Sequence, residues 1–102
     1  PQDARQLSTW ISHRDMVHLT ACCIDAAAFH FIVLYGVSNN TRNRWLNPHA
    51  AQIGYRPQDV AEDHRDAALA ATAANPESEV SATFIGGMFC DMEFAGDLDR
   101  IR

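Results

Sequence analysis

An α/β fold, ordered as a short strand, a helix, a buried parallel strand and a small helical region, follows from three stretches of the chain. Residues 31–35 form a continuous apolar run, Phe31-Ile32-Val33-Leu34-Tyr35, that ends at Gly36 and opens into Val37-Ser38-Asn39-Asn40. Apolar residues recur at helical spacing over residues 13–25. A third stretch opens at Asn47-Pro48 and closes at Gly54, with helix start and stop signals. A strand without polar alternation expects cover on both faces, as in a parallel sheet. A polar loop at such a strand's carboxyl end is where open α/β sheets keep their ligands.

Each element has its own warrant. Arg5-Gln6-Leu7-Ser8-Thr9-Trp10 alternates enough for a short strand. Ser12-His13-Arg14-Asp15 reads as a capping box, with Ser12 as N-cap and Asp15 at the third helical position. Met16, Leu19, Cys23 and Ala27 then follow at helical spacing, broadened by Val17, Thr20 and Ile24, which predicts a helix from His13 to Asp25 or Ala27. Helix followed by strand is half of a crossover unit, and the sheet it joins is expected outside this chain. The chain therefore reads as the tail end of an enzyme whose first part is missing.

After that strand, Asn47 is expected to cap a short helix with Pro48 in its first turn. Asp59 with Glu62 repeats the capping-box signal ahead of an Ala-rich helix from Val60 to Ala74, stopped by Asn75-Pro76. Residues 82–89, apolar around Gly86-Gly87, are expected to be a strand or an extended arm.

Bulk properties narrow the function. A chain of 102 residues accommodates one small domain, too little for nucleotide-binding and substrate domains together. With net charge −5 and no basic cluster, neither nucleic acid nor an anionic membrane surface is an expected partner. The apolar runs fall short of the roughly 18 residues of a membrane span. Pro1-Gln2-Asp3 begins no signal peptide, and a cytoplasmic location is expected. Cys22 and Cys23 point about 100° apart on a helix, so these thiols and Cys90 read as buried and reduced.

Complete active sites are not evident. His13 and His18 do not converge on one helix face, there is no Cys-x-x-Cys, and no metal ligands are assigned. No serine has a nucleophile-elbow context, and no glycine-rich phosphate loop occurs. Catalytic and cofactor-binding residues are accordingly assigned to none of these positions.

Arg5-x-Leu7-Ser8-Thr9-Trp10-x-Ser12-x-x-Asp15, Tyr35-Gly36-Val37-Ser38-Asn39-Asn40, Asn47-x-His49, Gly54-Tyr55-Arg56-Pro57-x-Asp59 and Gly86-Gly87-x-Phe89-x-Asp91 occur in that order. Together they resemble the C-terminal part of extended short-chain dehydrogenases/reductases, within the NAD-dependent epimerase/dehydratase family and most like its uronate dehydrogenases. The resemblance runs from Arg5 to about Phe94. Arg44-Trp45-Leu46-Asn47 departs from that family's usual Trp-Trp-Asp-Asn, and Pro48 stands where it often has Ser.

The resemblance implies a Rossmann-type, doubly wound parent of which this chain is the substrate-side portion. It further implies NAD as cofactor, bound upstream together with a Tyr-x-x-x-Lys pair; Tyr35 and Tyr55 cannot replace that tyrosine because the chain has no Lys. The implied reaction is oxidation of the C1 hydroxyl of a hexuronate to the aldarolactone, with the chain alone inert and the intact enzyme a homo-oligomer. Arg5 is the position implied for the substrate carboxylate, where its planar fork matches the anion. Phe89 is a candidate to close over the sugar ring, and Ser38 to border the substrate pocket. Alternatives are a nucleotide-sugar epimerase or dehydratase, which needs a longer C-terminal region, and a free-standing interaction module.

Overall fold

Local hydrogen bonding by side chains decides most of the backbone path. The structure, a computed structural model, describes residues 1–26 and 30–101. Three α-helices are present among them: α1 (His13–Asp25), α2 (Arg65–Ala74) and α3 (Glu79–Thr83). Between and around them lie 3-10 turns at Arg5–Ser8, Ala50–Ile53, Ala61–His64, Gly87–Cys90 and Leu98–Arg100. No β-strand occurs among the described residues.

Helix α1 starts where expected, with the Ser12 hydroxyl accepting from the Asp15 N–H at 3.0 Å. Ala27, the further predicted helix end, lies outside the described residues. The inward stripe is rotated from the expected one. Asp15 and Leu19 are buried and Cys22 and Ala26 partly so, whereas Met16 and Cys23 are exposed. A carboxylate at the inward position drives that rotation, because Asp15 has partners only on the inner side. The thiols, expected buried, are exposed at Cys23 and half-buried at Cys22 and Cys90, all three unbridged.

The first expected strand is instead the 3-10 turn Arg5–Ser8. Asp3 accepts the Gln6 N–H at 2.9 Å and starts the turn. Leu7, within the turn, and Trp10, two residues past its end, both pack against the cluster with Ala61 and Ala68.

Residues 31–35 belong to no strand among the described residues, so the predicted buried strand is not formed. One face is covered: Ile32 and Leu34 pack against the cluster of Leu19, Ala50, Ile53 and Tyr55. The other is open, with Phe31 84% and Val33 60% exposed. A single side chain stands in for a strand partner. The Asn47 amide accepts from the Tyr35 N–H at 3.0 Å and donates to its carbonyl at 2.8 Å. Asn47 therefore does not cap, and the expected helix contracts to the 3-10 turn Ala50–Ile53, closed as predicted by Gly54 at φ 77°.

Asp59 does not cap the following segment either. Its carboxylate takes the Ser12 hydroxyl and the Arg14 guanidinium, and the Ala61 N–H is met by Asn40 Oδ1 at 3.0 Å. The segment begins as a 3-10 turn, Ala61–His64, before α2 runs to Ala74 and stops at Asn75. The predicted strand or arm over residues 82–89 is replaced by α3 and a turn. Ser78 caps α3 by accepting the Ser81 N–H at 3.0 Å.

One polar junction ties α1 to the loops beside it. Ser38 is fully buried; its hydroxyl accepts the Ser12 N–H at 3.0 Å and donates to Asp15 Oδ2 at 2.6 Å. Asp15 also accepts the N–H groups of Gln58 and Asp59, each at 3.0 Å. Burial pushes the Asp15 carboxyl up, but the Ser38 hydroxyl, the two backbone N–H groups and the Arg14 charge outweigh it and hold it below its ordinary 3.8. The Tyr55 hydroxyl donates to the Val37 carbonyl at 2.7 Å, and burial, followed by the charges of Asp15 and Cys22, pushes it up to about 12.

Ser38→Ala leaves the buried Ser12 N–H without its partner and removes one of the two donors to Asp15 Oδ2, which keeps the Asp59 N–H, and should cost about 1–3 kcal/mol in urea unfolding at neutral pH. Because the folded Asp15 carboxyl is depressed, its contribution is complete above the unfolded value and is lost as pH falls through the folded one. Wild type should therefore lose stability on acidification more steeply than Asp15→Asn. Parallel acid titrations of the two would refute an ionised Asp15 at this junction.

Candidate functional site

A cavity of about 530 Å³ lies between the Arg5–Ser8 turn, the end of α2 and the segment from Glu77 to Asp91. Arg5 and Phe89, predicted separately from opposite ends of the sequence, both line it. Ser38 does not. It lies beside a second, 350 Å³ cleft with Asn39, Asn43 and Trp45, and its hydroxyl is taken up by Ser12 and Asp15.

Arg5 is the organising charge. Its Nη1 donates to Glu77 Oε1 at 3.1 Å and to the Ser81 carbonyl at 2.9 Å. Its Nη2 donates to the Phe84 carbonyl at 2.7 Å and to the Ile85 carbonyl. These carbonyls lie in and just beyond α3, where a helix leaves acceptors unsatisfied and favours a cation. Arg5 thus ties the start of the chain to its last quarter. Glu77 is in turn oriented by the Ser81 hydroxyl, which donates to the same Oε1 at 2.6 Å.

Gly87 completes the cavity wall. It sits at φ 60°, and a Cβ placed on it would stand 2.8 Å from Arg5 Nε and 3.1 Å from Cζ. The backbone can lie against the guanidinium only because residue 87 has no side chain. The turn Gly87–Cys90 then presents Phe89 at the cavity edge, 75% exposed. An exposed ring over a cavity containing a guanidinium suits a ligand with an apolar face and an anionic end. Ser78, Thr72 and Asp91 add polar groups, with the Ser78 hydroxyl held by the Asp91 carboxylate.

Sequence reasoning missed Glu77 and the α3 carbonyls as Arg5's partners. Both lie more than seventy residues away along the chain, at sequence separations of 72 to 80, and leave no local signal. Among the described residues, no group of three or more His, Cys, Asp or Glu is placed to hold a metal ion, and no helix is long and apolar enough to cross a membrane. Gly86-Gly87 leads into a short 3-10 turn against Arg5, and the α1 N-terminus is closed by Ser12, Ser38 and Asp59. Neither cradles a dinucleotide, so the described residues do not fit NAD.

Comparison with known proteins gives related sequences and folds. The chain is 37% identical over 89 residues to uronate dehydrogenase of Pseudomonas putida, covering 87% of this chain and 33% of that protein. It is 41% identical over 56 residues to NAD-dependent glucose-6-phosphate dehydrogenase of Haloferax volcanii, covering 54% and 21%. The crystal structure of uronate dehydrogenase from Agrobacterium tumefaciens superposes with a TM-score of 0.76 at 33% identity, covering 91% of this chain and 35% of that one. A mutant of that enzyme, solved in complex with NAD, superposes equally well. The chain spans about a third of the length of the uronate dehydrogenases it matches. No family model matches it.

Gly87→Ala should force Arg5 away from the turn, adding about 1–3 kcal/mol of backbone strain to the steric conflict. The expected result is a lower melting temperature together with an altered Arg5 Nε resonance. A stable variant with an unmoved resonance would show that the close approach does not matter.

Proposed function

We propose that this chain is the C-terminal, substrate-side portion of an NAD-dependent uronate dehydrogenase of the extended short-chain dehydrogenase/reductase family, with a Rossmann-type parent fold. The observation that carries the reading is the likeness to uronate dehydrogenases, in sequence and in fold, along nearly the whole chain. Arg5 and Phe89 on one cavity support it, because a sugar acid needs a cation for its carboxylate and a flat apolar surface for its ring.

In this reading the intact enzyme oxidises the C1 hydroxyl of a hexuronate to the aldarolactone. NAD accepts the hydride, and its site lies in polypeptide beyond this chain. The chain's own contribution is positioning. Arg5 holds the C6 carboxylate and so fixes which ring carbon is presented for reaction. Phe89 closes over the ring. Ser38 stands outside this cavity, beside the second cleft, and its buried hydroxyl holds its loop against α1.

The shape of the chain supports a larger assembly. Its radius of gyration is 16.3 Å, against about 13 Å for a compact domain of this length. The open side of residues 31–35 offers unpaired backbone and exposed Phe31 and Val33, a surface suited to strands of the parent sheet. The Haloferax relative favours a second reading, a sugar 6-phosphate substrate, since that ligand also carries its anion at C6.

Two outcomes are expected. Calorimetric titration of NAD into the 102-residue chain should give no saturable micromolar binding; binding would place a cofactor site within it. In the intact enzyme, Arg5→Lys should lower kcat/KM for glucuronate by about ten- to a hundredfold while changing the value for glucose little. Lysine keeps the charge but cannot serve the carbonyls around α3 and a ligand anion together, because its donors form one cluster. Retention of the full uronate preference would remove Arg5 as anchor, and faster turnover of glucose 6-phosphate than of glucuronate would favour the second reading.

A further inference from the structure

We propose that Glu77 is a specificity-determining residue of this site, a resident carboxylate that occupies Arg5 when no ligand is bound and competes with an incoming anion for it. The inference rests on Arg5 being the carboxylate anchor. Arg5 has four acceptors across its two Nη atoms, and three are backbone carbonyls fixed by the end of α3 and the residues after it. Glu77 is the fourth and the only side chain among them, on the loop after Pro76 that enters α3. Rotation of Glu77 frees an Nη1 proton without disturbing the backbone. Its Ser81 contact sets the resting rotamer.

Electrostatics give the contact its selectivity. Asp3, Glu77 and Asp91 line the cavity with Arg5 as the one fully charged cation among its lining residues. Asp3 and Asp91 are held by Gln6 and Ser78, away from the guanidinium. Glu77 alone sits where a ligand anion must go. A monoanionic carboxylate can replace it one for one. A dianionic phosphate brings twice the charge into the same wall and is disfavoured. Glu77 therefore tunes affinity for the sugar acid and penalises the sugar phosphate.

The test uses the intact enzyme and Glu77→Gln, which keeps an acceptor oxygen for Arg5 and Ser81 but removes the charge. KM for glucuronate should fall about two- to fivefold with kcat unchanged, the size expected of a partly exposed ion pair. KM for glucose 6-phosphate should fall further, KM for neutral glucose should not move, and added salt should narrow the difference between wild type and variant. Glu77→Asp, which shortens the reach but keeps the charge, should fall between the two. An unchanged or raised KM for glucuronate overturns the proposal, as does an equal fall for glucose. Arg5→Lys separates the two ideas. If that variant keeps the uronate preference, the anchor reading fails; if it loses the preference while Glu77→Gln changes nothing, only the role of Glu77 fails.

Discussion

A buried carboxylate organises the first two thirds of this molecule. Asp15 is 1% exposed and sits in the first turn of α1, where negative charge is favoured by the helix dipole. Its two oxygens meet the Ser38 hydroxyl and the N–H groups of Gln58 and Asp59, so two distant stretches of chain converge on one side chain of α1. Neighbouring loops then lock around it. Asn40 donates to the Trp10 carbonyl and accepts from Ala61, and Asn43 donates to the Ser38 carbonyl. With so few buried apolar side chains, chain direction here is set by satisfied polar groups more than by hydrophobic volume. The loop after residues 31–35 is thereby a rigid element.

A second charge does the corresponding work at the other end. Arg5 satisfies carbonyls at the end of α3 and pairs with Glu77, while Gly87 lies against its guanidinium. In the proposed reading, folding and ligand recognition draw on the same five N–H donors. A guanidinium can do both because its donors point along separate edges of one plane. An ammonium at this position has a single cluster of donors and must choose. That difference makes lysine the informative substitution, whereas alanine would also release α3 and the wall of the cavity.

Much of the local structure was legible in the sequence. The Ser12 cap, the left-handed Gly54 and the stop at Asn75 depend on contacts within four residues, which spacing reveals. Asn47 and Asp59 looked like caps for the same reason, yet their side chains bond Tyr35 and Ser12, twelve and 47 residues away. A polar side chain with a better distant partner abandons its local role, and no periodicity shows that. The strands failed differently. Alternation over residues 5–10 gave way to a 3-10 turn over Arg5–Ser8, which the Asp3 side chain starts by accepting the Gln6 N–H. The apolar run at 31–35 carries the composition of a strand, but a strand is a relation to a neighbour, and none lies alongside among the described residues. For the site, Arg5 and Phe89 were identified through resemblance, and their shared cavity gives that pairing a physical basis.

The unexpected exposure on α1 and on residues 31–35 has one consistent explanation. Val17 and Ile24 leave the α1 side opposite Leu19 apolar and open, Met16 is exposed at its edge, and Phe31 and Val33 are open in residues 31–35. Solvated surfaces rarely carry that many large apolar groups close together without a partner. Covering them would remove the exposed side chains from water and give the 31–35 backbone its missing hydrogen bonds in one step. It would do so without touching the Asp15 junction, whose groups all face the inner side. The cavity around Arg5 is built from the Arg5–Ser8 turn, α2 and the residues that follow, so docking at the open face and binding at the cavity engage different surfaces.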